Sequence, residues 1–232
     1  MSVVFATAMV FIVASTYEVS DAQNGGVLKG SVRYVGNPPE QKQVDVTKDA
    51  GICAQDLKSE DLIVGPDRGI ANVVIMLTFE KGRNENWKKV PPGKMVLNQK
   101  GCRFNPHVMV VPAGADVEVL NPDGILHNFH SKSVKNFPVN IAMPKFKKVI
   151  TVRFPKPEIV EVVCDAHNWM AGWLIVSEHP YVAITDAHGN FEIKASPAGT
   201  YKVEIWHEKL GKEVKTVGVK AGQTVVMDLE RK

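Results

Sequence analysis

The chain is best understood from one stretch of seven residues, Cys164-Asp165-Ala166-His167-Asn168-Trp169-Met170. It places a thiol, an imidazole and a thioether at Cys-x2-His-x2-Met spacing on a single short loop. Soft sulfur and imidazole ligands suit copper, and two histidines, one cysteine and a weak axial methionine form a blue-copper electron-transfer site. A second histidine ligand should therefore come from elsewhere, and His127 is the upstream candidate.

The composition is that of an ordinary globular protein. The chain has 232 residues, enough for one large or two small domains. Apolar residues make up 44% and charged residues 23% of the sequence, both within the usual range. A net charge of +3 is too weak to indicate a nucleic-acid partner by itself.

Residues 1–22 are predicted to be a secretory signal peptide. A short apolar run from Val3 to Ala14 precedes Ser20-Asp21-Ala22, which has small residues at positions −3 and −1 of a cleavage site. The run lacks the usual preceding Lys or Arg, and an uncleaved anchor is the alternative. The prediction implies a periplasmic or secreted protein with no transmembrane segment in the mature chain.

Three cysteines are an odd number for an exported chain, which normally indicates one free thiol. If Cys164 binds metal as a thiolate, Cys53 and Cys102 remain to form a disulfide. The oxidising compartment that export provides favours that bond. Two unpaired buried thiols are the alternative.

The pattern of the chain predicts an all-β fold. Apolar and polar residues alternate at 148–154, 191–194 and 201–205, and glycines and prolines separate many such runs. Many short strands at close spacing favour β-sandwiches. After the leader, no window of 12 residues shows a helical stripe, although a short helix within 47–59 is considered.

We divide the chain after the leader into residues 23–94, 95–179 and 180–232. The last block, with 53 residues, is small for an independent sandwich. One arrangement is a discontinuous domain made of the first and last blocks, with the middle block inserted between them. A simple tandem of domains is the alternative, and the insertion is preferred because it completes the short block.

The last block resembles the carboxypeptidase regulatory-like (transthyretin-like) β-sandwich family. The resemblance is carried by the turns at Thr185-Asp186-Ala187-His188-Gly189-Asn190-Phe191 and Pro197-Ala198-Gly199-Thr200-Tyr201. Residues 30–36 and 71–77 resemble opening strands of the same family. Such domains are mostly scaffolds, so the resemblance implies no catalysis.

The middle block resembles a cupredoxin, the family of plastocyanin, amicyanin and azurin. The resemblance runs from 101 to 178 through Phe104-Asn105-Pro106-His107, Gly124-Ile125-Leu126-His127-Asn128 and the Cys164–Met170 loop. It implies a Greek-key β-sandwich that binds one type 1 copper ion. The implied ligands are His127, Cys164, His167 and Met170, and Asn128 is the implied residue that ties the two ligand segments together.

The ligand loop has amicyanin-like spacing but lacks that family's prolines, since Ala166 and Asn168 flank His167. Trp169 and Trp173 are expected to stiffen the loop by packing over it, or else to be ordinary core aromatics. The resemblance also implies that His167 lies nearest the surface, so that electrons would pass through the ligand loop there.

Two further histidines, His107 and His130, could form a second metal site or a proton-linked group. A structural or solvated role is the preferred interpretation, because no cluster of cysteines or carboxylates surrounds them in the sequence.

Residues 124–157 contain no Asp or Glu and join the two ligand segments. A basic face there would steer an acidic redox partner, whereas a solvated lysine-rich loop is the alternative. The basic residues of this span are Lys132, Lys135, Lys145, Lys147, Lys148, Arg153 and Lys156.

The sequence therefore predicts an exported type 1 copper protein, not an enzyme, that shuttles single electrons. The partner would be a c-type cytochrome, a dehydrogenase or an oxidase. A copper carrier that uses the same ligands is the main alternative. Copper enzymes fit poorly: a nitrite reductase needs an all-histidine copper site, and a polysaccharide oxygenase needs an N-terminal histidine, whereas cleavage after Ala22 leaves Gln23.

Overall fold

The computed structural model describes residues 25–53, 56–78 and 95–232, and the regular secondary structure of these residues is almost entirely β-strand. The all-β, β-sandwich fold predicted from the sequence is confirmed. The predicted leader at 1–22 and the boundary at residue 94 lie outside the described residues. Within the described ranges, no helix has the length and hydrophobicity to span a bilayer.

The strands are numbered in chain order. They are β1 (Gly26–Tyr34), β2 (Val74–Thr78), β3 (Met95–Asn98), β4 (Val108–Pro112), β5 (Asp116–Leu120), β6 (His127–Ser131), β7 (Asn140–Met143), β8 (Val149–Arg153), β9 (Glu158–Val163), β10 (Ala171–Ser177), β11 (Val182–Ile184), β12 (Asn190–Ser196), β13 (Gly199–His207), β14 (Gly211–Val219), β15 (Thr224–Val226) and β16 (Leu229–Arg231). Among the described residues, one 3₁₀ turn spans Pro66–Arg68.

Strands β3 to β10 form one pair of sheets, in the orders β4-β10-β9-β6-β7 and β3-β5-β8. Alternation decides which residues face the space between them: in β8, Ile150 and Val152 are buried while their neighbours are exposed. The core also contains the fully buried rings of Phe104, Phe129 and Phe154. Full burial of one such side chain contributes about 1.5–3 kcal/mol.

The remaining strands form a second pair of sheets. One has the order β12-β1-β15, with β16 also paired to β1, and the other has the order β11-β2-β13-β14. Strands β1 and β2 therefore pair with strands that follow residue 181. The division at 94/95 and 179/180 stays a prediction.

The turn between β11 and β12 shows why its sequence is restricted. The Asp186 carboxylate accepts hydrogen bonds from the N–H groups of His188 (2.9 Å) and Asn190 (2.8 Å). Gly189 has φ +75°, and a Cβ atom there would lie 2.3 Å from the carbonyl oxygen of Val32. Only glycine fits this position without displacing β1.

The two pairs of sheets meet in a small apolar cluster. Val74 from the second pair packs with Val108 and Ile175 from the first, and all three are buried. The rings of Trp173 and Trp206 meet edge to face there, with centroids 4.9 Å apart. Trp173 therefore takes the second of the two roles considered from the sequence, that of a core aromatic, and does not pack over the ligand loop.

Residues 44–53, which we call the capping segment, pack on the first core although they precede β2. Val46 and Cys53 both belong to the cluster that contains the buried Cys164. The predicted disulfide between Cys53 and Cys102 is confirmed. No helix occurs among the described residues of 47–59, because Asp49 has φ +52° and its carbonyl closes a turn with the N–H groups of Ile52 and Cys53.

Removing the disulfide should destabilise the metal-free protein. The bond joins residues 49 positions apart, and a loop of that size implies about 4 kcal/mol by the chain-entropy relation. We expect Cys53→Ala/Cys102→Ala to lose about 2–4 kcal/mol in urea unfolding. The control Val134→Ala, at a highly exposed position, should keep the wild-type free energy of unfolding. The same urea midpoint in both variants would contradict the prediction.

His179 should make stability depend on pH. Burial lowers its pKa to about 4, whereas an unfolded histidine takes up a proton near pH 6.5. Below pH 6.5 the unfolded chain therefore binds more protons, and stability falls as the pH drops towards 4.

The free energy of unfolding is measured in urea at pH 7 and at pH 4.5. The difference between the two values should be smaller in His179→Gln than in the wild type, by roughly 1–2 kcal/mol. His188→Gln is the matched control, because His188 is exposed. An unchanged pH dependence in His179→Gln would show that His179 does not carry this effect.

Candidate metal centre

Strand ends bring the predicted ligands to one pole of the first pair of sheets. β6 begins at His127, β9 ends at Val163, and β10 begins at Ala171. Because β9 is antiparallel to both β6 and β10, the 164–170 loop lies at the end of the sheet where His127 starts its strand. Cys164, His167 and Met170 are therefore close because they share one short loop, whereas His127 is brought to them by the pairing of β6 with β9.

Three ligand atoms converge at this pole. The Nδ1 atoms of His127 and His167 are 3.2 Å apart. The Sγ atom of Cys164 lies 3.9 Å from His127 Nδ1 and 3.7 Å from His167 Nδ1. Metal bonds of about 2.0–2.3 Å to nitrogen and sulfur give separations of this size between neighbouring ligand atoms. The triangle therefore has the dimensions that a bound metal ion requires.

The outer nitrogens of the two imidazoles face carboxylates. His127 Nε2 lies 2.9 Å from Asp123 Oδ2, and His167 Nε2 lies 2.9 Å from Asp49 Oδ2. An ionised carboxylate only accepts hydrogen bonds, so each Nε2 donates its N–H. Asp123 is itself fixed by the backbone N–H groups of Gly101 and Cys102, at 2.9 and 3.0 Å.

This arrangement determines what the inner nitrogens can do. A neutral imidazole with its proton on Nε2 presents a lone pair at Nδ1. With both rings in that state, the lone pairs of His127 and His167 would face each other across a fully buried space. Burial outweighs the hydrogen bond and the charge of Asp123 and lowers the pKa of His127, so protonation there is disfavoured. A cation held between the two nitrogens would satisfy both lone pairs.

Cys164 completes the donor set but is held as a thiol in the metal-free chain. Burial raises the pKa of Cys164, and the Asn128 N–H, 3.3 Å from Sγ, acts in the opposite direction. Only the thiolate is a metal ligand, so binding would release a proton. A thiolate with two neutral imidazoles is a set that suits copper.

Asn128 joins the two ligand segments through its side chain. Its Oδ1 atom accepts a hydrogen bond from the Asp165 N–H at 3.1 Å, and its Nδ2 donates to Asn140 Oδ1 at 2.6 Å. The segment that carries His127 is thereby tied to the ligand loop and to β7. Such contacts outside the ligand set orient metal-binding side chains.

The loop closes on itself without the two missing prolines. The Cys164 N–H donates to the Met170 carbonyl at 3.1 Å, and the N–H groups of His167 and Met170 donate within the loop at 3.3 and 3.0 Å. Met170 is buried in the same cluster as Cys164, and its axial role stays a prediction. Trp169 packs against the His167 ring, with centroids 5.1 Å apart, and donates to the Cys102 carbonyl.

His167 does not lie at the surface, contrary to the expectation from the resemblance. It is fully buried, because the capping segment lies over it and Asp49 occupies its Nε2 edge. The disulfide sulfurs of Cys53 and Cys102 lie within 4.8 Å of a ring nitrogen of His167. The His167 ring is therefore separated from solvent by the capping segment.

Neither carboxylate was predicted from the sequence. Asp123 lies four residues before His127, a spacing that could have suggested the contact. Asp49 is 118 positions from His167 in the sequence. The only sequence signal for this contact is the disulfide at Cys53, four residues after Asp49, which ties the segment of Asp49 to Cys102.

The other two histidines have carboxylate partners. His130 lies 2.9 Å from Asp165, and His107 binds Glu208 with Glu60 close to its other nitrogen. Burial disfavours a charged His107, but the hydrogen bond and charge of Glu208 hold its pKa above the ordinary value. Neither belongs to a group of three potential ligands among the residues that the structure describes.

No family model and no curated protein matches the chain. Solved structures similar to part of it are cupredoxins. A variant of amicyanin in its reduced Cu(I) form is 20% identical over 38% of this chain and 86% of its own, with a TM-score of 0.33. A purple cupredoxin from Nitrosopumilus maritimus is 19% identical over 36% of this chain and all of its own, with a TM-score of 0.31.

A copper-containing nitrite reductase from Thermus scotoductus SA-01 is 25% identical over 40% of this chain, with a TM-score of 0.33. The match spans about a quarter of the reductase, 24% of its length.

Proposed function

We propose that the chain is an exported single-electron carrier that binds one type 1 copper ion through His127, Cys164, His167 and Met170. The observation that carries the proposal is the pair of buried Nδ1 atoms, 3.2 Å apart, with the Cys164 sulfur within 4 Å of both. Copper bound there would supply a change between two oxidation states that differ by one electron.

The protein's own contribution is rigidity. Fast one-electron exchange requires ligands that move little between oxidation states, and here each imidazole is fixed at its outer nitrogen by a carboxylate. Complete burial of both rings also excludes water from the ligand triangle. The proposed partner is a c-type cytochrome, dehydrogenase or oxidase.

A copper carrier with the same ligands is the second candidate. A carrier must release its ion readily, whereas both histidines here are fully buried and the capping segment is held by a disulfide. These features favour retention, and so favour electron transfer over delivery. The transthyretin-like sandwich is proposed to be a scaffold, and export is supported by the disulfide.

The donor set can be tested by loading the purified protein with Cu(II). We expect an intense thiolate-to-copper band in the visible spectrum and a stoichiometry of one copper per chain. Cys164→Ser should abolish the band because it removes the thiolate, while His130→Gln should keep it. A missing band in the wild type, or its survival in Cys164→Ser, would refute the proposed site.

The role of Asp49 can be tested by competition with a Cu(I) chelator. Asp49→Ala removes the hydrogen bond to His167 and should weaken copper affinity about 10–100-fold, the usual effect of losing such a contact. Asp45→Ala, in the same segment, is the control. Rapid copper loss from the wild type would favour the carrier instead.

A further inference from the structure

The two imidazoles differ in what separates them from solvent. His167 is covered by the capping segment, and the Asp49 carboxylate that meets its Nε2 is 31% exposed. His127 meets the Asp123 carboxylate at its Nε2, and the residue directly before it, Leu126, is 43% exposed. Leu126 is thus an exposed apolar side chain next to a candidate ligand, as Ile52 (49% exposed) is in the capping segment on the His167 side.

A second exposed apolar side chain lies on the same side. The buried amide of Asn121 donates to the carbonyls of Ile125 (2.9 Å) and Met143 (2.7 Å), and its backbone N–H donates to the Lys148 carbonyl (2.9 Å). These bonds hold residues 125–126 and 144–148 together at the start of β6. Phe146, at the centre of the second segment, is 80% exposed.

Positive charge surrounds this apolar surface. Lys145, Lys147 and Lys148 are exposed and form no ion pair with any described residue. Other basic residues of the span lie toward the opposite end of the sheet, where Lys132 pairs with Glu161 and Arg153 pairs with Asp116. Among the described residues, Lys135 and Lys156 are exposed and unpaired too, but they lie near Glu158 and Asn136 at the start of β9, at the other end of the sheet. The unpaired lysines beside the candidate metal centre are Lys145, Lys147 and Lys148.

We propose that a redox protein with an acidic rim and an apolar centre docks on Leu126 and Phe146, within the three lysines. We call this area the 126/146 surface. Electrons would enter and leave on the His127 side, not over His167. The inference rests on the proposed electron-transfer function.

The apolar contacts and the charged contacts would contribute to docking in different ways. Buried apolar and aromatic side chains supply most of the binding energy at the centre of an interface. Charges at the rim steer the approach of the partner and increase the association rate. A small lysine-rimmed surface suits a short-lived complex, which a shuttling carrier requires.

The steering part can be tested with hexacyanoferrate(III), an anion that takes one electron from the Cu(I)-loaded protein and becomes hexacyanoferrate(II). In stopped-flow at low salt, K145E/K147E/K148E should slow this oxidation about tenfold or more. The control K29E/K202E/K220E makes the same charge change on exposed lysines of the second pair of sheets. Equal slowing by both triples would overturn the proposal.

The docking part needs a protein oxidant, for which an acidic bacterial c-type cytochrome serves. Phe146→Ser should lower the second-order rate constant about tenfold. Phe137→Ser, at a position 93% exposed and separated from Phe146 by β7, is the matched control. Slowing by Ile52→Ser in the capping segment, but not by Phe146→Ser, would place docking over His167 and refute the proposal.

Three outcomes distinguish a failure of the proposed function from a failure of the docking proposal. If the wild type shows no thiolate-to-copper band, the proposed function fails before docking is tested. If the band is present in every variant but the rates do not differ, only the 126/146 surface fails. Binding of the metal-free protein to anionic phosphatidylserine vesicles, lost in Phe146→Ser, would identify a membrane site and also refute the proposal.

Discussion

The site depends on two hydrogen bonds that lie outside the ligand triangle, from His127 and His167 to Asp123 and Asp49. They fix the protons on the outer nitrogens and so turn both lone pairs inward. Both carboxylate-bearing segments are anchored next to the disulfide, since the Cys102 N–H binds Asp123 and the Cys53 N–H binds the Asp49 carbonyl. One covalent bond thus supports the orientation of both imidazoles.

Strand β10 connects this site with the rest of the molecule. It begins at Ala171, directly after the ligand loop, and carries Ile175 into the cluster shared with the second pair of sheets. The same strand pairs with β9, which ends just before Cys164. The second pair of sheets therefore buttresses the strand that holds the loop, a contribution consistent with a scaffold.

The sequence was sufficient for whatever depended on local spacing or on alternation. The Cys-x2-His-x2-Met loop and the strands could be predicted in that way, and the disulfide followed from the number of cysteines. The covering of His167 could not, because it depends on a contact over 118 positions that only the folded chain brings together. The sequence left two roles open for Trp173, because spacing alone does not tell which face of β10 carries it; in the fold it packs against Trp206.

The capping segment also brings the disulfide close to the free cysteine. His167 neighbours both Cys164 and the Cys53–Cys102 pair, so all three cysteines lie at one pole. A thiolate is a nucleophile that can attack a nearby disulfide, and burial, which raises the pKa of Cys164, disfavours that form. Metal held at Cys164 would likewise withdraw its sulfur from exchange, so metal loading would protect the pairing of Cys53 with Cys102.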